Sequence, residues 1–178
     1  LEVPADVAMA EVDESALVYQ PVRATRSAAS VPDVEHAARA LLEARSPIAL
    51  AGQGVLYAEA SPELVELAEL LQLPVMTTML GKGAFPENHP LALGVGATVM
   101  TGPGYQLLKK ADTVLAIGSS MTRHTMSITI PPDKRIIHAT NDERDINKGY
   151  PTDHPLIGDA KLVLRQLIEA VQDLRGKG

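Results

Sequence analysis

The stretch Asp112-Thr113-Val114-Leu115-Ala116-Ile117-Gly118 decides the fold class, because five uncharged, mainly apolar residues follow one another between an aspartate and a glycine. A continuous apolar run, unlike an alternating one, is typical of a strand that is buried on both faces of a sheet. Four more short, mainly apolar runs are predicted to be strands, at residues 47–51, 74–78, 135–139 and 155–158. Together the five runs predict a sheet whose strands lie inside the molecule.

Helical patterns lie between and after these runs. Asp33 can cap a helix, and residues 61–63 (Ser-Pro-Glu) combine a cap, a proline at the first position and an acid in the first turn. Asp159 can cap a last helix that ends near residues 175–176. Strands that alternate with helices predict βα units and a parallel sheet. We therefore predict a doubly wound, Rossmann-like α/β domain with a mostly parallel sheet of about six strands.

Composition excludes several classes of function. The 178 residues include no Cys, which excludes a disulfide scaffold, a Cys-ligated metal site and a thiol nucleophile. A net charge of −6 without a basic run, and only 3% aromatic residues, argue against a nucleic-acid partner. No apolar run approaches the roughly 18–20 residues that span a bilayer, so we expect no membrane partner.

Residues 1–32 read differently from the rest of the chain. The stretch 19–32 is rich in Ser, Ala and Pro and shows no sustained period of 3.6 or 2. We predict that residues 1–32 are a linker and that residues 33–178 form the domain. A chain that begins without Met and opens with a linker leads us to expect a piece of a longer protein, and no signal peptide is visible.

The ends of the predicted strands are where ligands bind in open α/β sheets. Gly52-Gln53-Gly54 follows the first strand and resembles the start of a dinucleotide fingerprint, but Tyr57 occupies the place of the third glycine. Thr77 and Thr78 stand where an acidic residue would bind a ribose. These departures argue against an ordinary NAD site. The alternative is a glycine turn between strand and helix, which any such fold needs.

Other candidate motifs are weaker. Gly81-Lys82-Gly83 lacks the spacing of a phosphate loop, and Gly118-Ser119-Ser120-Met121-Thr122 lacks the second glycine of a nucleophile elbow. The five histidines show no i, i+4 pair for a metal. His124 follows a strand end and is the histidine with the best case for ligand contact, whereas His138 is expected to be a hydrogen-bonded core residue. Residues 142–145 (Asp-Glu-Arg-Asp) most simply begin a short helix.

Several blocks in order carry a family resemblance. Residues 81–94 read GKGAFPENHPLALG, residues 111–118 read ADTVLAIG, and residues 136–148 read IIHATNDERDINK. Residues 44–54 and 155–160 match two further blocks of the same pattern. This chain resembles the central domain of thiamine-diphosphate-dependent enzymes, closest to the acetolactate synthase type. Residues 1–7 are similar to the end of the preceding pyrimidine-binding domain in that family.

The resemblance implies a parent enzyme with three α/β domains. The first and third would bind thiamine diphosphate and magnesium and carry the catalytic Glu and a G-D-G metal motif, neither of which is present in this chain. The central domain, of the DHS-like NAD/FAD-binding type, would support a homodimer or homotetramer and in some members holds FAD or ADP. The parent would decarboxylate a 2-oxo acid in the cytoplasm and pass the carbanion to an acceptor or to a proton. This piece alone would not be catalytic.

The departures from the family pattern concern the nucleotide site. Flavin-bearing relatives read G-x-R-F-D-D-R where residues 118–124 read GSSMTRH, and G-M-H-G where residues 97–100 read ATVM. Thr140 replaces the first Asp of the family's I-D-I-D, while Asp142 keeps the second. Losing the arginine and an acid removes charge-assisted contacts of about 1.5–3 kcal/mol each. We therefore predict a member that binds no flavin or binds a nucleotide weakly.

The candidate ligand contacts lie at strand ends or at positions that match the family. No catalytic residue and no metal ligand is assigned within this chain. One alternative is a purely structural or dimerisation module without a ligand. A second is an NAD-binding deacylase-like relative, which would need an acid–base histidine beside an Asn-Asp pair. The cofactor-binding candidates are Gly52, Gly54, Thr77, Thr78, Gly118, Ser119, His124, Thr140 and Asp142.

Overall fold

The computed structural model describes residues 2–22, 25–96, 100–123, 125 and 129–176. The described part alternates strands with helices from residue 31 onward, as the sequence predicts. The strands are β1 Pro47–Ala51, β2 Val75–Thr77, β3 Ala92–Val95, β4 Thr113–Ile117, β5 Arg135–Thr140 and β6 His154–Ile157. The α-helices are α1 Ala5–Ala8, α2 Val31–Glu43, α3 Gln53–Tyr57, α4 Ser61–Leu71, α5 Gly102–Lys110 and α6 Ala160–Gly176, with 3₁₀ turns at Glu14–Ala16 and Glu143–Asp145.

The six strands form one sheet in the order β3-β2-β1-β4-β5-β6, and every neighbouring pair is parallel. Ala49 of β1 lies beside Val75 of β2 on one side and Leu115 of β4 on the other. This is the order of a doubly wound fold, in which the direction of winding reverses between the first and fourth strands. The predicted fold class is confirmed.

Three helices cover one face of the sheet, which we call the three-helix face. Here α2, α4 and α6 bury the strand residues that point toward them, among them Ala49, Leu115 and Ile137. The helices present apolar residues at a spacing of three and four, as a helix packed on a sheet requires. On α6 the buried apolar residues are Ala160, Val163, Leu164, Leu167, Ile168 and Val171.

The opposite face, which we call the loop-covered face, has a different cover. The intervening strand residues pack against Leu108 of α5 and against Met121, Ile130 and Tyr150, which belong to irregular segments. Successive residues of a strand point to opposite faces, so a strand buried on both must be apolar throughout. Ile48 and Leu50 of β1 face this side, whereas Ala49 and Ala51 face the three helices.

The structure corrects several predicted details. Strand β3 lies in a stretch for which the sequence predicts no strand, and α3 follows β1 directly where a glycine turn was the alternative interpretation. Helix α2 begins at Val31, three residues earlier than a helix capped by Asp33 would, and its N-cap is Ser30. Ser61 is the first residue of α4, whose N-cap is Ala60. Asp159 does cap α6, since its Oδ1 accepts hydrogen bonds from the backbone N–H groups of residues 161 and 162.

The predicted linker has two parts. Its large apolar side chains up to Val22 are mostly exposed. By contrast, the segment 25–30 docks on the domain. Ala29 is buried and exchanges two hydrogen bonds of 3.0 Å with the Gln166 side chain, and the Ser27 carbonyl accepts from the Asp159 N–H at 2.8 Å. A domain boundary near residue 32 stays a prediction.

Among the residues that the structure describes, no helix is long and apolar enough to cross a membrane.

Candidate functional site

A cleft of about 580 Å³ opens at the carboxyl ends of the strands, where the winding reverses between β1 and β4. Its size lies within the range of about 300–1,000 Å³ that is common for small-molecule sites. The segments that follow β1, β2, β3, β4 and β5 all contribute to it. The described lining comprises Leu50, Gly52, Gln53, Gly54, Tyr57, Thr78, Met79, Leu80, Gly96, Gly118, Ser119, Ser120, Met121, Thr122, Thr140, Asn141, Asp145 and Tyr150.

Three glycines form the point where the loops after β1 and β4 meet. The Gly52 N–H donates to the Ile117 carbonyl and the Gly54 N–H to the Gly118 carbonyl, each at 2.8 Å. A Cβ added at Gly52 would lie 2.2 Å from the Gly118 oxygen, and one at Gly54 would lie 2.7 Å from the Gly118 Cα. Gly118 also has a φ of +61°, which L-residues seldom adopt. These glycines are therefore required by backbone packing between the two loops.

The loop after β2 closes one side of the cleft. The Thr78 N–H donates to the Ala51 carbonyl at 2.9 Å, and the Thr78 Oγ1 accepts from the Gly81 N–H at 3.0 Å. Met79 and Leu80, the two central residues of this turn, are exposed to solvent, and Tyr57 of α3 is 75% exposed. All three also line the cleft. One side of the mouth of the cleft is therefore apolar.

The segment after β4 forms a second wall. The Ser119 Oγ accepts from the Met121 N–H at 3.3 Å, and the Ser120 and Thr122 hydroxyls lie 3.0 Å apart. The Ser119 carbonyl accepts from Nε2 of His138 at 2.7 Å. Burial lowers the pKa of His138 despite this bond and the nearby carboxylate of Asp145. His138 is thus a neutral, hydrogen-bonded core residue, as predicted.

The far end of the cleft is polar. Thr140, at the end of β5, donates from Oγ1 to Oδ2 of Asp145 at 3.2 Å and accepts from the Asp142 N–H at 3.2 Å. Oδ1 of Asp145 lies 3.3 Å from the Lys148 ammonium. Asn141 completes this end. Among the described residues of the lining, Asp145 is the only acidic or basic one.

Six of the nine predicted contact residues line this cleft: Gly52, Gly54, Thr78, Gly118, Ser119 and Thr140. Thr77 does not, because it is buried within β2, and its carbonyl accepts from the Gly96 N–H. Asp142 does not either, because Arg144 engages both of its carboxylate oxygens at 2.6–3.1 Å. That bond lowers the pKa of Asp142 to about 2. His124 and residues 97–99 lie outside the described residues.

Sequence reasoning missed part of the lining. Asp145 and Tyr150 come from the segment after β5, which we read only as the start of a short helix. The ring of Tyr150 lies under the Arg123 guanidinium at 4.8 Å, and its hydroxyl accepts from the Ile130 N–H at 3.2 Å. The sequence did contain a signal for Asn141 and Asp145: both follow the carboxyl end of a predicted strand, where ligands bind in such sheets. No feature of the sequence marked Tyr57, Met79 or Leu80 as lining residues, since isolated apolar residues are common on protein surfaces.

Comparison with known proteins gives a consistent result. Residues 34–167 match the family model described as thiamine pyrophosphate enzyme, central domain. The chain is 37% identical over 178 residues to the probable acetolactate synthase large subunit of Methanocaldococcus jannaschii, which covers 96% of this chain and 30% of that protein. It is 32% identical over 181 residues to glyoxylate carboligase of Escherichia coli O157:H7, and that match covers 100% of this chain and 30% of that protein. The chain thus spans about 30% of the length of these relatives.

A solved structure supports the same fold. Benzoylformate decarboxylase from Polynucleobacter necessarius superposes with a TM-score of 0.72 at 23% identity, over 92% of this chain and 30% of that one. At this identity the likeness shows the fold alone.

Proposed function

The chain belongs to the family of thiamine pyrophosphate enzyme central domains, and from this premise we propose that its parent decarboxylates a 2-oxo acid and passes the carbanion to an acceptor or to a proton. The match over residues 34–167 carries the proposal, because it covers most of the domain and not a single motif. The named relatives include a carboligase and a probable acetolactate synthase subunit. In the parent, thiamine diphosphate would supply the stabilisation of the carbanion.

This chain would serve to hold the other domains of the parent enzyme in place. Among its described residues no group of three or more His, Cys, Asp or Glu could hold a metal ion. These residues therefore do not fit the magnesium diphosphate of the cofactor, which we assign to the other domains of the parent. What this chain offers is a rigid sheet covered on both faces, on which those domains can be held. We expect the parent to be a cytoplasmic homodimer or homotetramer.

FAD or ADP at the strand-end cleft fits less well. The only acidic or basic residue in the described lining is a carboxylate, Asp145, so the described lining offers a phosphate group no cation. The glycine N–H groups that could approach a diphosphate already bond to neighbouring carbonyls. These observations support a parent that binds no flavin in the manner of acetolactate synthase.

A purely structural module without a ligand is the second candidate. It is favoured by the glycines at the cleft, whose close backbone contacts explain them without any bound molecule. A thermal-shift titration of this chain with FAD, ADP, NAD and coenzyme A distinguishes a domain that still binds a nucleotide from a purely structural one. A ligand at 100 times its dissociation constant adds about 2.7 kcal/mol of stability, so saturable binding would raise the melting temperature visibly.

The cofactor content of the native parent tests the proposal as a whole. We expect purified parent enzyme to retain thiamine diphosphate and magnesium near one equivalent per chain, and flavin far below that ratio. Stoichiometric flavin would contradict the prediction that the parent binds no flavin in the manner of acetolactate synthase. Absence of any affinity for thiamine diphosphate would contradict the proposed function itself.

A further inference from the structure

The first part of the chain has an exposed apolar and acidic surface. Eight large apolar side chains between residues 3 and 22 are 57–90% exposed, and the hydrogen bonds of this stretch join its own residues. Residues 2–22 also contain five of the chain's 22 acidic residues and none of its 16 lysines and arginines. Among the residues that the structure describes, no cation pairs with these five acids. We call residues 2–22 the acidic segment.

Cations collect at the edge of the sheet where β1, β4 and β5 begin side by side. Arg45 comes two residues before β1, and Lys109 and Lys110 end α5 shortly before β4. The carboxylate of Asp112 beside them is engaged, because it accepts hydrogen bonds from the backbone N–H groups of residues 45 and 46 at 2.8 and 3.3 Å. Across the described part of the chain, no acid forms an ion pair with these three cations.

The other charges at this edge are matched. Arg135, the first residue of β5, pairs with Glu43 at 3.7 Å. The Lys134 ammonium is buried, lies 3.3 Å from the Asp133 carboxylate and donates to two carbonyls at the C-terminal end of α5. The edge therefore keeps the positive charge of the three cations that have no acidic partner.

Helix α5 adds apolar surface beside these cations. Tyr105 is 49% and Leu107 is 40% exposed, and the Lys109 ammonium lies 5.6 Å from the centre of the Tyr105 ring. No residue of α5 is acidic. We call Arg45, Tyr105, Leu107, Lys109 and Lys110 the basic edge. Its apolar and cationic groups are complementary to the apolar and acidic groups of the acidic segment.

Two other surfaces fit the acidic segment less well. A groove of about 270 Å³ between α2 and α6 is lined by Glu35, Glu169 and Asp173, and Arg39 is the only cation in its described lining. In the described lining of the cleft, Asp145 is the only charged residue. Both surfaces would repel a segment that carries five acids.

A second copy of the chain is the partner that these observations favour. Within one copy the acidic segment stays exposed, although the basic edge belongs to the same chain. Exchange of segments between two copies covers both surfaces of each and closes with two-fold symmetry, the commonest arrangement of homo-oligomers. We propose that the acidic segment of one copy packs on the basic edge of a second copy, and the reverse. This inference rests on the homo-oligomer proposed for the parent, but on none of its chemistry.

Sedimentation velocity of the 178-residue chain tests the association. Between about 1 and 200 µM at low salt we expect an equilibrium of monomer and dimer. Raising the salt from about 0.05 to about 0.5 M should weaken the dimer at least tenfold, because charges at the surface are screened. A chain that stays monomeric at every concentration, or a dimer whose affinity is independent of salt, overturns the inference.

Two charge-reversed variants test which surfaces meet. The first carries Asp6→Lys, Glu11→Lys and Glu14→Lys in the acidic segment, and the second carries Lys109→Glu and Lys110→Glu in the basic edge. Each alone should self-associate at least tenfold more weakly than the unchanged chain, because charges of like sign meet. An equimolar mixture should form a one-to-one dimer, because each segment then meets an edge of opposite sign. A mixture that stays monomeric contradicts the exchange.

A matched control separates local from net charge. Arg39→Glu with Lys82→Glu changes the net charge as much as the basic-edge variant does, at exposed positions outside that edge. It should leave the dimer affinity within about twofold. An equal loss in both variants would assign the effect to net charge and overturn the inference. A parent that forms a homo-oligomer and retains thiamine diphosphate while this chain stays monomeric would refute the inference and leave the proposed function standing.

Discussion

The two faces of the sheet are built differently. The three-helix face is covered by α2, α4 and α6, whose apolar residues interlock with one side of the strands in a single large core. In the part of the chain that the structure describes, the loop-covered face has one helix of nine residues, α5, and Met121, Ile130 and Tyr150 also pack on it. Two of those residues, Met121 and Tyr150, also line the cleft. The core of the loop-covered face therefore passes directly into the candidate site.

The difference predicts unequal responses to the same truncation. Leu167 on the three-helix face and Leu108 on the loop-covered face are both fully buried. Leu167→Ala is expected to lower the free energy of unfolding by about 4 kcal/mol, because three rigid helices cannot close the cavity. Leu108→Ala is expected to cost about 2.5 kcal/mol, because irregular segments can relax into the space. Urea denaturation midpoints measure both, and equal losses would remove the distinction between the faces.

At the junction of the loops after β1 and β4, we expect a loss of stability smaller than that of Leu167→Ala. Gly52→Ala places a Cβ 2.2 Å from the Gly118 oxygen, so one loop must move, at about 2–3 kcal/mol. The control is Gly102→Ala at the start of α5, where an added Cβ meets nothing within 4 Å and a change below about 0.5 kcal/mol is expected. Thermal unfolding of the two variants provides the measurement. A Gly52→Ala protein as stable as its control would mean that the loops are not tightly joined.

The pH dependence of stability sharpens the account of the three-helix face. Glu63 of α4 is buried, and its Oε1 lies 3.1 Å from Nε of Arg165 and 3.5 Å from the Lys161 ammonium on α6. Burial raises the pKa of Glu63, but its own backbone N–H, Arg165 and Lys161 outweigh this and lower it below the ordinary value of 4.5. The group therefore stabilises the fold above about pH 4.5, and this contribution is lost as the pH falls through the lowered pKa.

Replacing the Glu63 carboxylate tests whether it stabilises or destabilises the fold. Glu63→Gln is expected to cost about 1–2 kcal/mol at pH 7, with the difference from wild type shrinking below pH 4.5. Glu66→Gln, at an exposed position of the same helix, should stay within about 0.5 kcal/mol at every pH. A difference that grows on acidification would show that the carboxylate destabilises the helix pair.

The smallest expected effect concerns the loop beside the cleft. The Arg144 side chain and backbone hold the pKa of Asp142 at about 2. Arg144→Ala should return it toward the ordinary value of 3.8, whereas Lys148→Ala, which removes only a weaker charge effect, should move it much less. Carboxyl NMR titration follows this directly. An unchanged Asp142 pKa after Arg144→Ala would free its carboxylate as a ligand contact and return it to the set of candidates.

The faces also differ in how far the sequence predicts them. The apolar runs of β1 and β4 and the helical spacing on α6 predict the core, because burial on both faces and the helical period leave direct signals in the sequence. Strand β3 gave no such signal, since it is a four-residue edge strand that contains Gly94 and stays only partly buried. Its pairing with β2 depends on the rest of the sheet and not on its own pattern.

Part of the candidate site can also be predicted from the sequence. Strand ends locate Gly52, Gly118, Ser119 and Thr140, because parallel strands bring their carboxyl ends to one edge. Asp145 and Tyr150 reach the cleft through a loop in which Asn147 has a φ of +60°, and Gly149 passes so close to the Met121 carbonyl that a Cβ would lie 2.1 Å away. Tertiary packing of this kind has no sequence period and becomes visible only in three dimensions.

The central claim is that this domain supports chemistry performed elsewhere in its parent. The most direct test is carbon dioxide release from a panel of 2-oxo acids, with thiamine diphosphate and magnesium present, by the full-length parent and by the 178-residue chain. The account predicts release by the parent that depends on thiamine diphosphate, and none above background by the chain alone. Turnover by the isolated chain, or a parent inactive on every 2-oxo acid in the panel, would contradict it.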